Sequence, residues 1–431
     1  MVDRRPRHSP TRARLSAQDD HRTAVGLLGR KHKPDYWILL LSALLMAIGL
    51  VVVYSISPGL AASQHISQSY FITKQLIDVL LGAATFAIAA YIPLSRWYTL
   101  AKPLAIAAAV GCLIVMVTPL NALYPAHRWI RLGSFSFQIA ELIKLALIVW
   151  LAGFLSQKWR NGKLADFNAT LKPLVILMLG IGVVVAKLQS DFGSAAVMVA
   201  MVIMMGFVAG IPLKKAAAIF GIIVTLAAIL IVSTPYRRER VTAFLHPQTH
   251  CQGSGYQSCQ DLISVGSGGL FGLGLGYSVQ AYGYTPEASN DSIFAIIAEE
   301  IGFVGSLAIV VIYGLFITRL KQVVERTSDQ YNRLIVVGVL AWLSTQMIIN
   351  IGAMVGLLPL KGITLPLISQ GGTSLIFLTA ALGLVFQISR YTSYDVTEPS
   401  EGSSADGASN NFNRWGVRRP HNAALVSRPR T

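Results

Sequence analysis

The sequence predicts an all-α polytopic membrane protein of about ten transmembrane helices, and three observations carry that reading. Of 431 residues, 53% are hydrophobic and only 13% charged, where a soluble domain carries roughly twice that charge. The mean hydropathy is +0.56. The charges fall in short clusters between apolar runs of about 17 to 25 residues, the length that crosses a hydrocarbon core as a helix. Lys and Arg number 36 against 20 Asp and Glu, for a formal charge of +16. In a soluble chain that excess would suggest nucleic acid; in a membrane chain it sets orientation. Soluble enzyme folds and DNA-binding modules are excluded for nearly the whole length, and no nucleic-acid partner is expected.

Residues 1–35 are rich in Arg, Pro and Ser without apolar periodicity, so they bury too little to offset the entropy of ordering and predict a disordered basic tail. The run from Tyr36 to Ile56 is a full first span, with many more behind it, rather than a cleaved signal. Further spans are expected at 74–92, 103–119, 137–156, 173–188, 193–210, 216–234, 292–318, 334–355 and 373–390. They complete a membrane core of 36–391, and a second polar tail follows at 392–431. An even number of spans puts both tails on one side. With the tails in the cytoplasm, 27 Lys and Arg face inward and 8 outward, Lys144 lying within a span; basic residues favour the cytoplasmic side, so both termini are expected there. The longest external segment, 235–291 between the seventh and eighth spans, is far longer than a connection needs and marks where function is expected to sit. It holds Cys251 and Cys259 on the face where oxidation is possible; the two are either a disulfide or unpaired thiols.

Ionisable groups at membrane depth are expensive unless paired or wet, so they are the candidate site residues. Glu141 and Lys144 lie three apart in the fourth span and share a helical face, either as an ion pair fixing helix packing or as the lining of a polar cavity. Lys74 and Asp78 form a similar spacing near the surface. Asp191 breaks two short spans and is placed to cap the helix after it. External Arg128 and Arg131, with Arg237, Arg238 and Arg240 opening the long loop, run against the orientation rule and point to an anionic partner such as pyrophosphate, or else to interfacial anchoring. The stretch GSGGLFGLGLG (266–276) lacks the Lys-Ser/Thr ending of a phosphate loop, so no nucleotide is expected; its glycines suit irregular backbone beside a cavity. Asp291 stands at the external mouth of the eighth span, where partial desolvation would raise its pKa toward that of a general base, or where it simply adds negative charge at a helix start. Glu299 and Glu300, two turns deeper, add to the expectation of a polar cavity.

The blocks HRWIRLGSFSFQIAELIKLA (127–146), LQSDFGSA (188–195), YRRERVTAFLHP (236–247), DLISVGSGGLFGLGLG (261–276), TPEASNDSIFAIIAEEIG (285–302) and NIGAMVGLLPLKGITLPLISQGGTSL (350–375) resemble, in order, the signature blocks of the SEDS family of shape, elongation, division and sporulation proteins, which includes FtsW, RodA and SpoVE. The resemblance implies a ten-helix peptidoglycan glycosyltransferase that polymerises lipid II on the outer face of the bacterial cytoplasmic (inner) membrane, beside a class B penicillin-binding protein. The family's essential aspartate falls on Asp291. Asn290 and Ser292 stand where the family usually has Thr and Phe, and Ser289 where it has His. Glu141 and Lys144 match the family's fourth-helix pair, after Ile139-Ala140 in place of Pro-Ser, and Gln370 stands where Tyr is common. Lys361-Gly362 before Ile363-Thr364-Leu365-Pro366 resembles FtsW more than RodA, which favours work at the division septum with divisome regulatory proteins over elongation, with the elongation or sporulation role as the alternative.

On that reading an acceptor hydroxyl displaces undecaprenyl pyrophosphate with inversion, so a single base suffices, and Asp291 is its candidate. The leaving group would meet positive charge from Arg128, Arg131, Arg237, Arg238, Arg240 or Lys361, or from a divalent cation (Mg or Mn), to which Asp291 is an alternative contributor. Asp191 and Glu299 complete the candidate substrate-binding set, and membrane lipids are expected to bind the basic tails. A lipid II flippase and a division scaffold are the rival expectations.

Overall fold

The computed structural model describes residues 33–117, 128–132, 135–212, 214, 215, 217, 221, 225, 235–246, 251–253, 255–359 and 362–391. Both predicted tails, apart from 33–35, and almost all of the seventh expected span, 216–234, lie outside the described residues, as does Lys361. Nine helices among the described residues are long and apolar enough to cross a membrane.

The first, α1 (Tyr36–Gln64), begins where Asp35 accepts from the Trp37 amide at 3.0 Å, satisfying one of the donors that a helix start leaves free. It is followed by α2 (Ser69–Tyr91) and α3 (Leu94–Val117). A short antiparallel hairpin of β1 (Trp129–Leu132) and β2 (Phe135–Gln138), pairing Trp129 with Gln138, then leads into α4 (Ile139–Arg160). The fourth span, expected from 137, starts at Ile139; β2 delivers Gln138 as a strand end beside the helix start. The fifth span, α5 (Phe167–Leu188), carries π-helical turns at both ends. After it α6 (Phe192–Ala209) starts on Asp191, whose carboxylate accepts from the Ser194 amide at 2.9 Å.

The long external segment is partly helical: α7 (Pro235–Leu245) and α8 (Tyr256–Ser267) lie within it. A disulfide joins Cys251 to Cys259, with Cα atoms 5.5 Å apart. Three more spans follow: α9 (Ile293–Arg326), α10 (Gln330–Met354) and α11 (Gly372–Ile388). The amide of Asp35 donates to Ser389 Oγ at 3.0 Å, so the two ends of the described core share one face, as an even number of crossings requires.

The centre is built from α4, α10 and α11, whose apolar windows are mostly buried, whereas α1, α2, α3 and α9 keep exposed apolar flanks, the surface a bilayer would cover. Packing at the centre is close. A Cβ at Gly383 on α11 would come within 2.3 Å of the Phe86 carbonyl on α2, and Thr85 and Thr379 hydroxyls meet at 3.0 Å across the same interface. Small residues that let backbones touch, with hydroxyl pairs between them, are how helices associate where no hydrophobic drive separates protein from lipid.

The glycine-rich stretch has a structural explanation. Helix α9 breaks at Gly302 (φ 69, ψ −169), which frees backbone groups inside a span. The stretch supplies their partners: Leu273 and Gly274 amides donate to the Glu299 and Glu300 carbonyls at 2.9 Å each, and Phe303 and Val304 amides donate to Gly269 and Leu270 carbonyls at 2.9 and 3.1 Å. Approach is so close that a Cβ at Gly272 would stand 2.1 Å from the Glu300 carbonyl.

Candidate active site

Two loops meet at the end of the central helices opposite Ser389. One, 285–292, leads into α9; the other, 362–371, joins α10 to α11. Three polar contacts weld them. Asn350 on α10 donates through Nδ2 to the Asp291 carbonyl at 2.7 Å and to the Ile363 carbonyl at 2.6 Å. Ser369 Oγ donates to the Asn290 carbonyl at 2.6 Å while accepting from the Leu365 amide at 2.7 Å, and the Gln370 amide donates to the Ser289 carbonyl at 2.9 Å. Asp291 sits at this junction, partly exposed, in a cleft lined by Asn350, Ala353, Met354, Gly362 and Ile363. Gly362 (φ +63) leaves it room, since a Cβ there would lie 3.1 Å from Asp291 Oδ2.

The electrostatics of the cleft favour a proton on Asp291. Removal from water is the largest cause of a pKa raised to about 7; Glu287, Asp191 and Asp261 push the same way, and Arg128 opposes them. A carboxyl poised there is matched to general-base work near neutral pH.

The remaining candidates divide. Arg128 and Asp191 are brought to the cleft. Arg128 Nε donates to the Gln189 carbonyl at 2.9 Å and a terminal nitrogen donates to the Ser190 carbonyl, while Gln138 Nε2 donates to Asp191 Oδ2 at 3.0 Å, so β2, the 189–191 tip and Arg128 form one wall. Glu141 and Lys144 form a buried ion pair of 2.7 Å. Lys144 Nζ also donates to Gln346 Oε1 at 3.0 Å, and Gln346 Nε2 donates to the Thr364 carbonyl at 3.0 Å, so the pair ties α4 through α10 to the underside of the second loop. Glu299, expected at the substrate, is instead buried and accepts from Ser278 Oγ at 2.6 Å, the Val279 amide at 3.1 Å and Ser264 Oγ at 3.2 Å. Its neighbour Glu300 takes Ser55 Oγ and the Gly276 amide, each at 2.7 Å. Both acids hold the glycine-rich stretch against α9 and α1, so the open polar cavity expected from them is replaced by a closed polar clamp. Arg238 is exposed on α7; at Arg131, Arg237 and Arg240 the backbone alone is described. Asp78 makes no ion pair of contact distance with Lys74; its carboxylate points at Gly372, where a Cβ would be 2.6 Å from Oδ1.

Asn350, Gln346 and Ser369 carry no charge, so ionisable residues alone do not reveal them in the sequence; the signal that does is a pair of amides, Gln346 and Asn350, one helical turn apart in an apolar span. Among the described residues, no three His, Cys, Asp or Glu groups converge to hold a metal.

Against known proteins, the model of a family of cell cycle proteins covering FtsW, RodA and SpoVE matches residues 35–394. The chain is 38% identical over 352 residues to a probable peptidoglycan glycosyltransferase FtsW of Thioalkalivibrio sulfidiphilus, covering 81% of this chain and 87% of that one. It is 35% identical over 368 residues to the stage V sporulation protein E of Bacillus subtilis, covering 85% and 99%. Among solved structures, a chain from a study of how a peptidoglycan synthase complex coordinates polymerization and crosslinking superposes with a TM-score of 0.68 at 27% identity, covering 84% of this chain and 99% of that one. The rod shape determining protein RodA of Thermus thermophilus does so with a TM-score of 0.58 at 27% identity, covering 84% and 98%.

Proposed function

The chain belongs to the FtsW, RodA and SpoVE family of cell cycle proteins, and from that premise we propose that its Asp291 is the general base of a glycan polymerase. It is a multi-pass membrane protein and a septal peptidoglycan glycosyltransferase acting on lipid II. The acceptor sugar's C4 hydroxyl attacks the anomeric carbon of a lipid-linked donor. As the C4–O–C1 bond forms and the C1–O–P bond breaks, the hydroxyl proton passes to the Asp291 carboxylate and undecaprenyl pyrophosphate leaves with the electron pair. Displacement of an α-linked leaving group to give a β bond inverts the centre, so one carboxylate in the place of the base suffices. Arg128, on the wall beside Asp291, supplies positive charge toward the departing pyrophosphate. The buried Glu141–Lys144–Gln346 chain keeps the 362–371 loop in register beneath the reacting atoms.

The observation that carries this reading is the position of Asp291: a half-buried acid, raised to about 7, at the weld of two loops. The chain works beside a class B penicillin-binding protein and divisome regulatory proteins, in the inner membrane at the septum, with both termini cytoplasmic. The test is strand synthesis on a gel from purified protein, its class B penicillin-binding protein and lipid II, comparing wild type with Asp291→Asn. Strands from wild type and a loss of at least ~100-fold in the folded variant are expected. No strands from either, with lipid II moved across vesicles, would make the chain a transporter instead.

A further inference from the structure

Neither carboxylate oxygen of Asp291 has a hydrogen-bond partner among the described residues, so none of them holds the side chain by its tip. Its aim is set by the backbone, and the backbone is held residue by residue. The Asn290 carbonyl is taken by Ser369 Oγ at 2.6 Å and the Asp291 carbonyl by Asn350 Nδ2 at 2.7 Å. Ser292 is gripped from the other side, by α8. Gln257 Nε2 donates to Ser292 Oγ at 3.2 Å, and Asp261, one turn further along the same helical face, lies against the same hydroxyl. One more turn on, Ser264 Oγ donates to the Ala295 carbonyl at 2.9 Å.

Asp261 is anomalous as a structural residue. It is completely buried, and no hydrogen bond of full geometry satisfies either of its oxygens. A carboxyl in that state destabilises the fold relative to an apolar side chain of similar volume. A side chain that the fold would be better without, next to the reacting group, is a functional candidate on physical grounds. Burial pushes its pKa up to about 7, the Ser292 hydroxyl pulling the other way.

We propose that Asp261 is a positioning residue for Asp291, drawing the Ser292 hydroxyl toward α8 and thereby fixing the backbone from which Asp291 projects. The inference rests on the reading of Asp291 as base. It also accounts for the departure at Ser292, where the resembled family usually carries an apolar ring: the hydroxyl is the handle by which α8 holds the turn. The disulfide at Cys259, two residues before Asp261, keeps the holding helix in place.

The test uses the full chain with its class B penicillin-binding protein and lipid II, comparing wild type, Asp261→Leu, Asp261→Asn, Ser292→Ala, the Asp261→Leu/Ser292→Ala double variant and Asp291→Asn, with kcat, KM and melting temperature read for each. Misplacing a base by a fraction of an ångström is felt in turnover. Asp261→Leu should therefore lower kcat about tenfold, with KM within about twofold and a melting temperature no lower than wild type. Asp261→Asn, which keeps an acceptor oxygen beside the Ser292 hydroxyl, should return within about threefold of wild type. Ser292→Ala, which removes the handle without altering α8, should match Asp261→Leu, and the double variant should be no slower than either. The proposal is overturned by wild-type kcat in Ser292→Ala and Asp261→Leu, by losses that follow KM or melting temperature, or by additive losses in the double variant. If those appear while Asp291→Asn is inactive, the base reading stands alone; an active Asp291→Asn overturns both.

Discussion

At the level of single residues the site is an exercise in carboxyls kept from water. For Asp291, desolvation and the neighbouring Glu287, Asp191 and Asp261 outweigh Arg128 and raise the pKa to about 7. A base works unprotonated, so kcat/KM should climb as pH rises through about 7 and level off above it. In Arg128→Gln, the lowering influence is gone, and the midpoint of that climb should move to higher pH; a pH–rate profile of both proteins measures it. Asp261 makes the complementary statement about stability. Its folded pKa of about 7 lies above its ordinary 3.8, so the folded state holds more protons between those values and stability falls as pH rises through that window. Asp261→Asn should remove the fall, gaining up to about 4 kcal/mol relative to wild type at pH 8 and far less at pH 4, as read from melting in detergent at the two pH values. Asp291 was legible in the sequence because a lone carboxylate at a span's mouth is conspicuous. Asp261 was not, because in a polar external loop one more acid stands out from nothing until the fold buries it.

At the level of elements, several polar groups inside the membrane core join one segment to another. The Glu141–Lys144 pair of α4 reaches Gln346 on α10 and, through it, Thr364. Removing one partner leaves a buried charge alone. Lys144→Met should therefore destabilise by about 3–5 kcal/mol, and Glu141→Gln/Lys144→Met together by much less, in thermal melts of detergent-solubilised protein. Gly302 and the glycine-rich stretch form the second joint. Gly302→Ala places a side chain in a conformation only glycine adopts, with its Cβ 2.3 Å from the Gly272 nitrogen. It should cost about 3 kcal/mol or more and detach the stretch, seen as faster proteolysis between 268 and 276. The sequence pattern of Glu299 and Glu300 suggests a polar cavity, whereas the fold closes both acids onto the segment around the glycine-rich stretch. Two adjacent acids in a span must avoid lipid, and that constraint is met equally by a cavity or by a folded loop donating hydroxyls and amides.

Across the whole molecule, Asp35 meets Ser389 on one face while Asp291 and its two loops lie at the opposite ends of the helices. The charge bias predicts both termini in the cytoplasm, so fluorescent fusions at either end should fluoresce, and a phosphatase inserted at 252 should be active only if that segment is periplasmic or extracellular. An inactive insertion in a stable, membrane-inserted chain would invert the orientation. The amino-acid sequence by itself determined the class, nine of the helical spans and the preference for one orientation, and it singled out Asp291 as the candidate base. Hydropathy and charge bias act along the chain and need no tertiary information. The tertiary structure decided what each polar residue touches: Asn350 on the Asp291 carbonyl, Arg128 on the 189–190 carbonyls, Gln346 beneath Thr364, Glu299 and Glu300 on the glycine-rich stretch, and Asp261 behind Ser292. Those pairings join residues 18 to 62 positions apart, and which helices pack together, rather than any local spacing, brings them within hydrogen-bonding range.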